Sequence, residues 1–161
     1  MNLTKQQTYY VEPGYVYFST KATLLRAVVG SCVAVCLWDK QNKCGGMNHF
    51  IKPKAQEQTD ATPVYGNAGI SALIKMMEDA GCEKSNVVAH ILGGGAPEGE
   101  TQPTLGQRNV EAAREALQRR QITILAEDIG GPIGRKIAFD TGTGELAVLK
   151  TNNVRNGDWF A

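Results

Sequence analysis

Residues Val33 to Trp38 read VAVCLW, six apolar side chains in a row. A strand of that composition is apolar on both faces, as a strand covered on both sides has to be. Around it the chain alternates strand and helix signals. GYVYFST predicts a strand over Tyr15 to Ser19, and DKQNK (Asp39 to Lys43) is a polar turn leading into a second strand, CGGMNHF. Ile70, Leu73, Ile74 and Met77 recur at helical spacing, which predicts a helix from Ala68 to Ala80 with Gly81 as its stop. A strand NVVAHIL follows, then a helix over Gly106 to Arg120 with Val110, Ala113 and Leu117 on one face. The strands ITILAED, RKIAFD and ELAVLKT come last, the final two joined by the hairpin turn TGTG. Strands, helix, strand, helix, strands predict an α+β (mixed α/β) fold.

The chain has 161 residues, 42% hydrophobic and 20% charged. That suits one domain over 1–161, with a short C-terminal tail from about 151. The net charge is +1 with both signs interspersed, so no basic stripe marks a nucleic-acid partner. The first residues are polar, unlike a signal peptide, and the longest apolar stretch, Ala27 to Trp38, is too short for membrane insertion. The expected location is the cytoplasm, where four cysteines are expected as thiols.

Three of those cysteines and a histidine lie between Val28 and Phe50. Cys32 and Cys36 share a strand face about 13 Å apart, too far for one zinc ion with bonds of about 2.3 Å. A disulfide between them, needing α-carbons within about 7 Å, is excluded on the same ground. A Cys36–Cys44 pairing is open geometrically. With the turn centred between Lys40 and Gln41, Cys32 lies directly across from His49, with β-carbons about 5 Å apart. An imidazole there draws the thiol proton from a group whose ordinary pKa is about 8.5, and the thiolate attacks a carbonyl. The small residues of GSC leave the thiol accessible, and backbone N–H groups near Ser31 and Cys32 are placed to hold an oxyanion. A cysteine in an apolar strand is also an ordinary core residue. Spacing alone leaves both readings open, while Cys36, Cys44 and Cys82 read as packing residues.

GSCVAVCLWD followed by GGMNHFIKP closely resembles the CheD family of chemoreceptor glutamine deamidases. YGNAGISALIKMM, LGGGA, LGQRNVEAAREAL and ILAEDIGGPIGRKIAFDTGTGELAV continue the likeness in order, from about Pro13 to Lys150. The resemblance implies a layered α/β/β sandwich with mixed sheets, distantly like the catalytic domains of deamidating toxins. It implies a protein-glutamine glutaminase acting on methyl-accepting chemotaxis receptors, with Cys32 as nucleophile and His49 as base and then acid. No metal or organic cofactor is implied, and a CheC-type phosphatase is the implied binding partner.

Members of the family usually carry Thr or Ser six positions before the cysteine, to orient the histidine. Here that position is Arg26, and Thr23 is the nearest upstream hydroxyl. A backbone carbonyl near Arg26 is the other acceptor that can hold the ring. The departure sustains a second reading, a weak or inactive adaptor that binds receptor or phosphatase. A third reading is a redox or metal sensor built on Cys32, Cys36 and Cys44.

Other features read as structural. His90 is expected to be a packed histidine, and Asn48 to point to the sheet face opposite His49. Gly93 to Gly95 lacks the lysine of a phosphate loop and is expected near the substrate surface. GQRN, Gly106 to Asn109, is expected as a helix cap. Trp159 and Phe160 in the tail either pack back on the domain or dock elsewhere.

Overall fold

The computed structural model describes residues 6–57, 61–152 and 159. Among them, in chain order, are β1 (Gln7–Tyr10), β2 (Val16–Ser19), β3 (Thr23–Val29), β4 (Val33–Asp39), β5 (Cys44–Phe50) and α1 (Gly66–Asp79). They are followed by β6 (Val87–Gly93), α2 (Leu105–Arg119), β7 (Thr123–Ile129), β8 (Gly134–Asp140) and β9 (Leu146–Thr151). One sheet has the order β2-β5-β4-β6-β7 and the other β1-β3-β8-β9. Each contains one parallel pair, β6 with β7 and β1 with β3, among antiparallel ones.

β4 is the middle strand of the larger sheet, and its apolar run is covered on both sides as expected. Val33, Val35 and Leu37 face α1 and α2, packing with Ile70, Leu73, Val110 and Leu117. Ala34 and Cys36 face the second sheet, packing with Leu25, Val29, Ile137 and Phe139. The layers are therefore helix, sheet, sheet, with one core between each pair of layers. No helix among the described residues is long and apolar enough to cross a membrane.

Two strands escape the sequence reading. β1 is exposed along its whole length, so no buried alternation marks it. β3 alternates buried and more exposed residues, but its TLLRAVV looks like a nearly continuous apolar run broken by one arginine. The helices start one or two residues earlier than expected, within the ordinary uncertainty of helix ends.

α2 opens with a capping box. The Gln107 N–H donates to Thr104 Oγ1 (3.1 Å) and the Thr104 N–H to Gln107 Oε1 (2.9 Å). Its first turn lies directly on the glycine loop after β6. A β-carbon on Gly106 would run into the carbonyl oxygens of Gly94 and Gly95, so only glycine permits this backbone-to-backbone approach.

Candidate active site

The β4–β5 hairpin turns at Lys40 to Lys43. Asp39 Oδ1 accepts the N–H groups of Gln41 (2.8 Å) and Asn42 (2.9 Å), and Lys43 adopts a φ of 55°. Although burial opposes it, this set of hydrogen bonds, Asn42 foremost, holds the Asp39 carboxyl below its usual range. The capped turn centres one residue later than the sequence reading has it. His49 therefore pairs with Ala34, not Cys32. Because the slip is two in register, it preserves the face. Cys32, in the bend just before β4, stays on the inter-sheet side as a diagonal neighbour of His49, a spacing that long side chains bridge.

Both residues are buried, Cys32 at 0% and His49 at 1% exposure. The expectation of an accessible thiol is thus corrected. Burial pushes the Cys32 thiol up to about 12, opposite to the lowering expected from an imidazole neighbour. In this state the cysteine holds its proton at neutral pH.

A backbone carbonyl holds the His49 ring. Its Nδ1–H donates to the Val11 carbonyl at 2.9 Å, and the Val11 N–H donates to the Arg26 carbonyl at 2.8 Å. A carbonyl can only accept, so Nδ1 carries the proton and Nε2 presents its lone pair. Thr23 does not come to the ring. Its hydroxyl donates to the Lys21 carbonyl (2.9 Å), and it lies three residues from Arg26, about 10 Å along β3. The Arg26 side chain is exposed, while the inward positions beside it are Leu25 and Ala27. Since Val11 already supplies the acceptor, Arg26→Thr is expected to leave any turnover at this site within about a few-fold of the parent. A steady-state rate comparison checks it.

The turn carrying Cys32 is fixed from two other directions. The Cys32 carbonyl accepts the Gly94 N–H (2.9 Å) and the Gly30 carbonyl accepts the Gly95 N–H (2.9 Å). Asn109 of α2, fully buried, donates from Nδ2 to the carbonyls of Ser31 and Ile51, both at 2.9 Å. One side-chain amide thus ties the Cys32 turn to the end of the strand that carries His49. GQRN does cap α2 in part, through Gln107, but Asn109 has this separate task. The signal was in the sequence: an asparagine on the same helical face as Val110, Ala113 and Leu117 must find polar partners once buried.

The remaining candidates separate. Cys36 faces the second sheet and Cys44 faces the helices, so the Cys36–Cys44 pairing is ruled out, and Cys32, Cys36 and Cys44 do not converge. None of the four cysteines is in a disulfide. Cys44 instead meets Cys82, with the two Sγ atoms 3.7 Å apart, and their ligand atoms lie with that of Asp39 within 4.8 Å of one another. These are the described residues that could hold a metal ion. Burial raises both thiols, which in the protonated form make a hydrogen-bonded chain to the Asp39 carboxylate. His90 is half-buried opposite Cys36, and burial lowers its pKa. Asn48 points toward α1, its Nδ2 packed over Gly69, opposite His49 as expected. Trp159 packs back on the domain, its carbonyl accepting the Ser31 N–H, while Phe160 lies outside the described residues.

Residues 51–150 match the family model described as CheD chemotactic sensory transduction, a stretch that begins just after His49. Longer matches also cover Cys32 and His49. A protein of Sulfurimonas denitrificans named "Probable chemoreceptor glutamine deamidase CheD" is 35% identical over 140 residues, 85% of this chain and 90% of the relative. Its namesake in Trichlorobacter lovleyi is 37% identical over 138 residues, 84% and 86% of the two chains. Another in Rhodospirillum rubrum is 38% identical over 141 residues, 86% and 80%. With a family model covering more than half of its length and relatives above 30% identity along most of theirs, this chain belongs to the CheD family.

Proposed function

We propose that this protein is a chemoreceptor glutamine deamidase that works through a Cys32 thioester. The observation that carries the reading is the His49 Nδ1–Val11 carbonyl hydrogen bond, which fixes the proton on Nδ1 and leaves Nε2 as the basic nitrogen of an imidazole on the same inter-sheet face as Cys32. Without that bond the ring is free to present either nitrogen.

In the reaction, a receptor glutamine enters with its carboxamide carbon against Cys32 Sγ. His49 Nε2 takes the thiol proton as the C–S bond forms, so the buried thiol is activated on attack and not at rest. The oxygen of the tetrahedral adduct takes the negative charge and is met by backbone N–H groups at Ser31 and Cys32. The Asn109 bond to the Ser31 carbonyl bears on this directly. A trans peptide points the following N–H away from its carbonyl, so pinning the Ser31 oxygen toward α2 aims the Cys32 N–H the other way. Collapse of the adduct expels ammonia with the proton from His49. Water, deprotonated by the same nitrogen, then hydrolyses the thioester to glutamate and frees the thiol.

The substrates are the cytoplasmic parts of methyl-accepting receptors, which makes the cytoplasm the site of action. A CheC-type phosphatase is a second partner under this reading. The test is intact-peptide mass spectrometry of receptor cytoplasmic fragments incubated with the protein. Conversion of discrete glutamines to glutamate, with stoichiometric ammonia, is expected. Fragments of every receptor from the same organism left unchanged would overturn the assignment.

A further inference from the structure

Ser31 directs two donors at one oxygen. Its N–H reaches the carbonyl of Trp159 at 3.1 Å, and its hydroxyl donates to the same oxygen. The Trp159 ring is seated beside them, its Cζ3 3.4 Å from where a β-carbon on Gly95 would stand. The seat is built from three hydrogen-bonded loops: Gly30 pairs with Gly95, Cys32 with Gly94, and Ala96 with Gly131. A β-carbon at Gly95 would also press on the carbonyls of Gly131 and Ile133, so the ledge under the indole is bare backbone by necessity. A cleft of about 190 Å³, lined by Gly94, Ala96, Gly130 and Gly131 among others, continues from it.

Two converging donors beside a nucleophile form a cradle for an amide oxygen. A peptide carbonyl and a glutamine carboxamide oxygen are the same acceptor, an sp² oxygen on a carbon bonded to nitrogen. We infer that Ser31 and Gly95 form a carbonyl-binding subsite for the substrate, and that the chain's own Trp159 occupies it as a competing pseudosubstrate. The inference rests on the deamidase reading of the site. With Trp159 seated, both Ser31 donors are occupied next to Cys32, and a receptor glutamine, or a small amide such as iodoacetamide, gains the cradle only by displacing that residue. A covalently attached competitor acts at high effective concentration and raises the apparent KM without changing the chemical step.

Two variants test it, Trp159→Ala, which removes the indole from its ledge, and a chain ending at Asp158, which removes the carbonyl as well. Both are expected to lower the KM for a receptor fragment, the shortened chain by about tenfold, the scale set by losing two hydrogen bonds, with kcat nearly unchanged. Both are also expected to speed alkylation of Cys32 by iodoacetamide, read by peptide mass spectrometry. A synthetic peptide of residues 150–161 added to the shortened chain should restore the higher KM. Unchanged KM and unchanged alkylation in both variants would overturn the inference. Alkylation does not require turnover. Faster labelling with no deamidation by any form would therefore keep the Trp159 closure and sink the enzymatic reading instead.

Discussion

Cys32→Ala is expected to abolish receptor deamidation while costing little stability. The proposed reaction forms its thioester on this sulfur, and no other thiol is placed to replace it. Cys36 lies deeper on the same face, and Cys44 and Cys82 are on the helix side. The void left by one buried sulfur costs about 1–2 kcal/mol, or roughly 2–4 °C of thermal midpoint per kcal/mol in a chain of this size. His49→Gln is the companion variant. It keeps a side chain that can meet the Val11 carbonyl but removes the base, and a loss of about 10²–10⁴ in rate is expected. In the parent, the thiol pushed up to about 12 by burial predicts slow alkylation at neutral pH relative to an ordinary thiol of pKa about 8.5. Mass spectrometry of the receptor fragment and a thermal melt measure both sides. Full activity in Cys32→Ala would remove the nucleophile assignment at once.

Asn109→Asp is expected to be severely destabilising. Nδ2 now donates both hydrogens, one to Ser31 and one to Ile51, in a site with no exposure. A carboxylate has no donors, so two carbonyls lose their partner and face an acceptor instead. Each unsatisfied buried carbonyl costs about 1–3 kcal/mol, and an unpaired buried charge costs about as much again. A loss of about 3–9 kcal/mol is a large part of the roughly 5–15 kcal/mol that holds a domain folded. The expected result is a midpoint at least about 10 °C lower near neutral pH. Acidification, which protonates the carboxyl and restores one donor, should recover part of it. Asn109→Ala should fall between, since it leaves the carbonyls unpaired without adding charge. A melt of the aspartate variant within a degree or two of the parent would show that Asn109 is not the clamp.

What the sequence disclosed, and what it concealed, follows from the range of the interactions. The unbroken apolar run of β4 and the helical spacing around Leu73 and Leu117 are local, and they survive into the fold. The hairpin register depends on where a turn closes, and Asp39 decides that by capping Gln41 and Asn42, which no apolar pattern reveals. The error was two residues, so His49 stayed on its face while its opposite number changed from Cys32 to Ala34. For the imidazole the sequence offers Thr23 or a backbone carbonyl near Arg26; the acceptor is a carbonyl, but that of Val11, whose own N–H bonds the Arg26 carbonyl. Val11 left no trace because its side chain is not what acts. The Trp159 contact spans 128 residues of chain and was open in sequence for the same reason, since its contact is also made by backbone oxygen.

The parallel pairing of β1 with β3 gives the amino-terminal strand an influence out of proportion to its four exposed residues. It is an edge strand, and the residue that aligns the imidazole follows directly after it. A fusion partner pulling on this end, a protease cutting between Tyr10 and Val11, or a foreign strand that displaces β1 would never touch the active site. Each would still unlatch the ring from behind, and the enzyme would lose its histidine's orientation while every catalytic side chain remained in the chain.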